Sequence, residues 1–185
     1  FVLSDLDIGM NLWMTDALSY PDAPMDRGKV LNDDDLERVG EFARYRDVDG
    51  DGIAYRTLPG SMNPKGVWFA RGTSHNEKAV YSERPDDWSN NMERIWRKLE
   101  NGRKLLPPPV IHRAPNGQAE IGLISYGSTD PAILEARERL AAQGVATDYL
   151  RLRGVPFSPE VEAFIRGHHR TYVIEMNTDG QMRQL

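Results

Sequence analysis

Cysteine is absent from the 185 residues. That excludes disulfides, thiolate nucleophiles and any iron–sulfur cluster held by this chain's own thiolates. No apolar run approaches the roughly 20 residues that span a bilayer, so no membrane partner is expected. Excess positive charge is missing too. The formal net charge is −5, the wrong sign for a general nucleic-acid binder, which needs a basic surface to meet phosphate. A dinucleotide glycine fingerprint, a Ser–His–Asp set and a carboxylate pair are likewise lacking.

What is present is ordinary for a soluble globular protein: 39% hydrophobic and 28% charged residues. The length suits one sizeable domain, or one compact domain with a long appendage. The sequence opens at Phe1-Val-Leu-Ser without an initiator Met and stops at Leu185, soon after a helix start. No signal peptide is expected, because no basic region precedes the first apolar run. The chain is expected to be a piece of a longer polypeptide.

Along the chain, residues 1–6 read as a buried strand, and Met10, Leu12, Trp13 and Met14 mark a short helix within residues 8–18. Pro21 and Pro24 break the chain into loop. Asn32 is an N-cap followed by Asp33, Asp34 and Asp35 at the positive end of a helix dipole. Leu36, Val39, Phe42 and Ala43 give that helix one apolar face, to about Tyr45. Residues 47–83 show little periodicity. A second helix is expected over residues 87–105, with Trp88, Met92, Ile95, Trp96 and Leu99 on one face. Its opposite face carries Arg94, Arg97, Lys98, Arg103 and Lys104, a pattern of a solvated surface or an acidic partner. Pro107-Pro108-Pro109 and Ala114-Pro115-Asn116-Gly117 then form a stiff linker ending in a turn.

The last third is regular. Residues 120–125, 145–152 and 171–175 are apolar strands. Asp130-Pro131 and Ser158-Pro159 start the helices between them, Gly144 and Gly167 stop those helices, and a third helix begins near Asp179. Strand–helix–strand–helix–strand with short connections predicts an α/β fold with a parallel, doubly wound sheet, preceded by a long irregular and helical segment.

The densest polar stretch is Asp47-Val-Asp-Gly-Asp-Gly-Ile-Ala-Tyr-Arg-Thr-Leu-Pro-Gly60, continuing to Trp68-Phe-Ala-Arg-Gly-Thr-Ser-His-Asn-Glu77. Asp47, Asp49 and Asp51 with Gly52 match the first half of an EF-hand loop and form a candidate cation site. The match stops at Leu58, where a bidentate Glu is required, and an Asp/Gly turn is the alternative. Gly50-Asp51-Gly52 followed by Asn76 imitates a thiamine diphosphate signature, without the hydrophobic strand that should precede it. Arg71, Thr73, His75 and Asn76 form a polar cluster that no core requires. They suit either a ligand or partner contact or a hydrogen-bonded knot within an irregular segment. Tyr126-Gly127-Ser128-Thr129 stands where a strand meets a helix N-terminus, and Glu175-Met176-Asn177 lies at the same carboxyl edge. There it lines a crevice or caps the final helix. His112, His168 and His169 lack partners at metal-ligand spacing.

Taken together, Leu3-Ser-Asp-Leu-Asp-Ile-Gly-Met-Asn11, Asp26-Arg-Gly-Lys29, Asp47-Val-Asp-Gly-Asp-Gly-Ile53, Tyr55-Arg-Thr-Leu-Pro-Gly60, Arg71-Gly-Thr73 and Glu175-Met-Asn-Thr-Asp-Gly-Gln181 resemble the α subunit of 2-oxoacid:ferredoxin oxidoreductases. The likeness is strongest to the 2-oxoglutarate branch. It implies that residues 1–20 are the tail of a pyrimidine-binding domain, 21–115 a connecting region, and 116–185 a truncated transketolase C-terminal-like domain II. It also implies a cytoplasmic parent enzyme that decarboxylates a 2-oxoacid on thiamine diphosphate, passes electrons through an iron–sulfur cluster to ferredoxin, and makes acyl-CoA. In such enzymes the β subunit holds the diphosphate, Mg2+ and cluster, so this chain is expected to bind no cofactor and to be inactive by itself. The Tyr-Pro-Ile-Thr-Pro and Arg-Gly-Gly-Pro-Ser-Thr motifs that recognise substrate in that family are absent, so no catalytic residue is assigned. Arg71, Thr73, His75 and Asn76 are expected near the active-site mouth or the partner subunit.

Overall fold

The computed structural model describes all residues except 1, 5, 13, 21, 71–73 and 118. The chain divides into two compact units, one comprising Phe1–Leu18 with Arg103–Leu185 and the other Ser19–Gly102.

The first unit is built on a four-stranded sheet in the order β1-β3-β2-β4, with β1 at Val110–His112, β2 at Ile121–Ser125, β3 at Thr147–Arg151 and β4 at Arg170–Val173. β2 is parallel to both β3 and β4, as the apolar runs require. The helices between them are α4 (Asp130–Ala142) and α5 (Pro159–Arg166). The first connection steps from β2 to its neighbour β3; the second steps back past β2 to β4. Crossovers of one hand that move in opposite directions leave their helices on opposite faces. The packing agrees. Leu123 and Tyr149 face Ile133 of α4, whereas the next residues, Ile124 and Leu150, join Val161 and Phe164 of α5, the alternation of a pleated strand. Four of the five β2 residues are buried, as in an inner strand covered on both sides. Gly122 permits the fit over α5, since a Cβ there would stand 2.8 Å from the Phe164 ring and 3.0 Å from His168.

Three expectations change. Val110–His112, assigned to the linker, pairs antiparallel with β3; a three-residue strand after three prolines is too short to show a period. Val2, Leu3 and Ser4 are exposed and irregular rather than a buried strand; an extended segment needs a partner strand, and none among the described residues pairs with it, while Phe1 and Asp5 lie outside those residues. The following helix, α1, is Leu6–Met10, short of the expected Leu12 and Met14; Trp13 of the expected helix lies outside the described residues. The last helix, α6, is also short, at Gln181–Gln184.

Among the described residues the second unit has two helices, α2 (Asp33–Val39) and α3 (Pro85–Arg103, its last residue assigned to the first unit), plus a 3-10 turn at Pro64–Gly66. α2 starts on a capping box: the Asn32 side chain accepts from the Asp35 amide at 2.9 Å, and the Asp35 carboxylate accepts from the Asn32 amide at 3.0 Å. It ends before the expected Tyr45 because Gly40 takes φ 72° and turns the chain out of the helix. Leu36 is fully buried and is the anchor of this unit. Between the helices the chain is held by polar contacts more than by a core.

Candidate functional site

In the second unit, Asp49 and Asp51 do not face an open cation position; they face Lys29. The Lys29 ammonium donates to Asp49 at 2.6 Å, to Asp51 at 2.8 Å and to the Ile53 carbonyl at 3.0 Å. Burial would lower the lysine pKa, but the two carboxylate bonds outweigh it and raise the value. Lys29 in turn holds the Asp49 and Asp51 carboxyls below their ordinary range. Asp47 turns elsewhere. Its Oδ2 accepts from the Gly52 amide at 3.0 Å and from Arg97 Nε at 3.1 Å, and its Oδ1 is buried without a hydrogen-bond partner among the described residues. The cation of this loop is therefore the chain's own ammonium. Among the described residues no group of three or more His, Asp and Glu is arranged to hold a metal ion; the aspartates of the predicted loop, Asp47, Asp49 and Asp51, take Lys29, Arg97 and backbone amides as their partners. The same arrangement does not fit the Mg2+ of a thiamine diphosphate site, and without cysteine no thiolate cluster fits either.

Of the predicted cluster, Arg71 and Thr73 lie outside the described residues. His75 stacks on Tyr45, ring centroids 4.0 Å apart with an interplanar angle of 24°, and its carbonyl accepts from Asn91 of α3 at 2.6 Å. Asn76 Oδ1 accepts from the Lys78 and Val80 amides at 3.0 and 3.1 Å, closing a turn in which Ala79 takes φ 69°. The Asn76 oxygen is thus engaged by backbone. The Tyr45 amide donates to the Glu77 carbonyl, and Arg46 reaches both Glu77 and Glu41. His75 and Asn76 are brought together at the edge of an aromatic group that local reading missed. Trp68 meets Tyr45 edge-on at 6.1 Å, and the Arg44 and Arg94 guanidinium carbons lie 5.0 and 5.7 Å from the Tyr45 ring.

The floor of this region is set by a close approach of backbones. Gly52, at φ 80°, sits so near α3 that a Cβ would stand 2.3 Å from the Lys98 nitrogen and 2.6 Å from the Arg94 carbonyl oxygen. Arg94 donates to the Gly52 carbonyl at 3.2 Å and Asn101 to the Asp51 carbonyl at 2.9 Å. The aspartate–glycine loop is in this way bound to the basic face of α3.

In the first unit, the carboxyl ends of β2 and β4 form the crevice where ligands bind in open α/β sheets. Here the start of α6 is tied to that edge, beside a cavity of about 600 Å3 lined by Ile124, Leu152, Val173 and Met182. Glu175 accepts from the Met182 amide at 2.9 Å and from Asn177 at 2.7 Å, and Asn177 also reaches the Tyr126 hydroxyl at 3.4 Å. Burial pushes the Glu175 carboxyl up, and these donors more than offset it, leaving it below its usual value. Glu175 and Asn177 hold the start of α6, the capping alternative. A buried charge that pattern reading did not single out is Asp148 in β3. It accepts from Arg113 at 2.7 Å, from the Ala114 amide at 2.8 Å and from His168 at 3.1 Å.

No protein-family model matches the chain. It is 30% identical over 167 residues to subunit α of 2-oxoacid:ferredoxin oxidoreductase 2 from Aeropyrum pernix, an alignment covering 88% of this chain and 24% of that protein. Subunit α of 2-oxoacid:ferredoxin oxidoreductase 1 of the same organism is 31% identical over 145 residues, covering 76% and 21%. Among solved structures, the 2-oxoglutarate:ferredoxin oxidoreductase from Magnetococcus marinus, with 2-oxoglutarate, coenzyme A and succinyl-CoA bound, matches 78% of this chain and 25% of its own with a TM-score of 0.67. At 24% identity that likeness is one of fold. The chain spans about a quarter of the length of the relatives it matches. No described helix is long and apolar enough to cross a membrane.

Proposed function

We propose that this chain, a homologue of the α subunits of 2-oxoacid:ferredoxin oxidoreductases, is a portion of such a subunit whose task is assembly around chemistry performed elsewhere in the enzyme. The observation carrying this reading is the alignment to an α subunit over 88% of the chain. The substrate we assign is 2-oxoglutarate, on the motif series ending in Glu175-Met-Asn-Thr-Asp-Gly-Gln181. The enzyme would be cytoplasmic and would convert the 2-oxoacid with coenzyme A to an acyl-CoA, handing electrons to ferredoxin. Thiamine diphosphate, which supplies the carbanion chemistry, would be held with Mg2+ and the cluster by the β subunit. The absence of cysteine and the Lys29-filled aspartate loop support that division.

Within the reading, residues 1–20 are the end of a pyrimidine-binding domain, 21–115 the connecting region and 116–185 domain II. This chain's own contribution is surface. Trp88, Ile95, Trp96 and Leu99 leave a largely exposed apolar stripe on α3, of the kind that subunit interfaces cover. His75 and Asn76, with Arg71 and Thr73, belong at the active-site mouth or at a subunit contact.

The purified chain is expected to show no coenzyme A-dependent 2-oxoglutarate oxidation with ferredoxin as acceptor. Assembled with the rest of the α subunit and the β subunit, it should support turnover. Alanine at Arg71, Thr73, His75 and Asn76 together is expected to lower that turnover at least tenfold or to shift the complex on sizing chromatography, as loss of about 1.4 kcal/mol of positioning would do. Turnover by the chain alone would overturn the division of labour. Unchanged kinetics and unchanged size in the quadruple variant would remove the role given to those four residues.

A further inference from the structure

In the unit Ser19–Gly102, the positive charges are sorted in a way that chance surface placement does not explain. Arg38, Arg46, Lys65, Lys78, Arg84 and Arg97 each sit against a carboxylate. The remaining described cations, Arg27, Lys29, Arg44, Arg56, Arg94 and Lys98, all line one cleft of about 240 Å3 beside Tyr45, with no carboxylate in its wall. Lys29 is neutralised from behind by Asp49 and Asp51. None of the other five is ion-paired among the described residues. They come from separate stretches of sequence, so the fold has collected them.

Two of the five are also partly withdrawn from water. The Nε atoms of Arg44 and Arg94 are buried and have no hydrogen-bond acceptor among the described residues, which is unusual for a charged donor. Burial first and the nearby Arg44 charge second lower the Arg94 pKa, with Asp47 pulling the other way. The carboxylates nearest the cleft, Asp49 and Asp51 at Lys29 and Asp47 near Arg94, stand behind its wall and not in it.

We propose that this cleft is a binding site for a phosphate-type oxyanion, gripped by Arg44, Arg94, Arg56 and Lys98 with Tyr45 as its wall. Guanidinium forks match the oxygens of phosphate and carboxylate alike, but five unneutralised cations fit a multiply charged group better than a single carboxylate. The size points the same way. Pockets for whole drug-sized ligands run to roughly 300–1,000 Å3, so this one takes a phosphate or diphosphate, free or as the end of a larger molecule. The site stands on the charge arrangement alone and does not depend on the enzyme assignment above.

The test is calorimetric titration of the full chain with sodium phosphate, sodium pyrophosphate and ADP at low ionic strength. Saturable binding of pyrophosphate or ADP is expected, weakening as salt is added. Arg94→Gln should weaken it about tenfold, the loss of one charge-assisted contact, and the exposed Lys98→Gln, which leaves the fold intact, several-fold. Arg38→Gln, outside the cleft, should leave it unchanged. Tighter binding of ADP than of pyrophosphate identifies the end of a larger molecule as the ligand; the reverse identifies the free anion. Absence of saturable heat with all three probes overturns the proposal, as does equal affinity in wild type, Arg94→Gln and Lys98→Gln.

Discussion

Gly52→Ala is expected to destabilise the unit Ser19–Gly102 by about 3 kcal/mol or more, while Gly50→Ala, two residues away, costs about 1 kcal/mol. Both glycines have positive φ, 75° at Gly50 and 80° at Gly52, so both substitutions incur the left-handed penalty. The difference lies in what a methyl group meets. At Gly50 nothing lies within 4 Å, whereas at Gly52 the nearest atoms are the Lys98 nitrogen at 2.3 Å and the Arg94 carbonyl oxygen at 2.6 Å. Those are backbone atoms of α3, which cannot rotate aside as a side-chain end can. Either the helix or the loop must move, and overpacking of this kind adds about 1–3 kcal/mol to the conformational cost. The contacts from Arg94 and Asn101 to the loop carbonyls would be stretched with it. Urea denaturation followed by tryptophan fluorescence reads the effect, because Trp68, Trp88 and Trp96 all belong to this unit. Equal midpoints for the two variants would show that the loop and α3 are not in contact as described.

Asp148→Ala is expected to cost about 3–5 kcal/mol in the sheet unit, the usual penalty for removing one partner of a buried charge cluster. Asp148 is fully buried, and its loss would leave His168 Nε2 and the Ala114 amide without their acceptor. Arg113 is half-exposed and can turn to water, which places the loss toward the lower end of that range. The same carboxylate links stability to pH. Burial pushes the Asp148 carboxyl up, but Arg113, the Ala114 amide and His168 outweigh it and hold the value below that of a free aspartate. A depressed native pKa means that the stabilisation is fully present above the unfolded value of about 3.9 and is lost as pH falls through the native one. Urea midpoints from circular dichroism between pH 7 and pH 2.5 should therefore drop in acid more steeply for wild type than for Asp148→Asn. Parallel curves would show that the carboxylate is not charged in the native state.

Much of the sheet unit was legible in local pattern. Apolar runs bounded by Gly144, Ser158-Pro159 and Gly167 located β2, β3, β4 and their helices, because turn chemistry and burial on both faces act over a few residues. The Asn32 cap was legible for the same reason. The strand Val110–His112 was not, since three residues cannot show a period of two and its partner is some forty positions away. The unit Ser19–Gly102 hid more. Lys29 closes on Asp49 and Asp51 from about twenty positions upstream, a long-range ion pair that aspartate spacing alone does not reveal. Arg44 and Arg94 meet across Tyr45 from fifty residues apart. A hint existed in Arg94 and Lys98 on the basic face of α3, read there as a solvated surface or the complement of an acidic partner. Asp148 also left a trace: a charged residue inside the apolar run from Val145 to Leu152 predicts a satisfied buried carboxylate.

The central claim is that this chain serves as part of an α subunit that works only when seated on its partner. Native mass spectrometry of the chain mixed with the β subunit of the same enzyme, in the presence of the remaining α-subunit segment, addresses it most directly. A single assembly containing all three polypeptides is the expected result. A chain that stays separate at concentrations where the other two associate would contradict it.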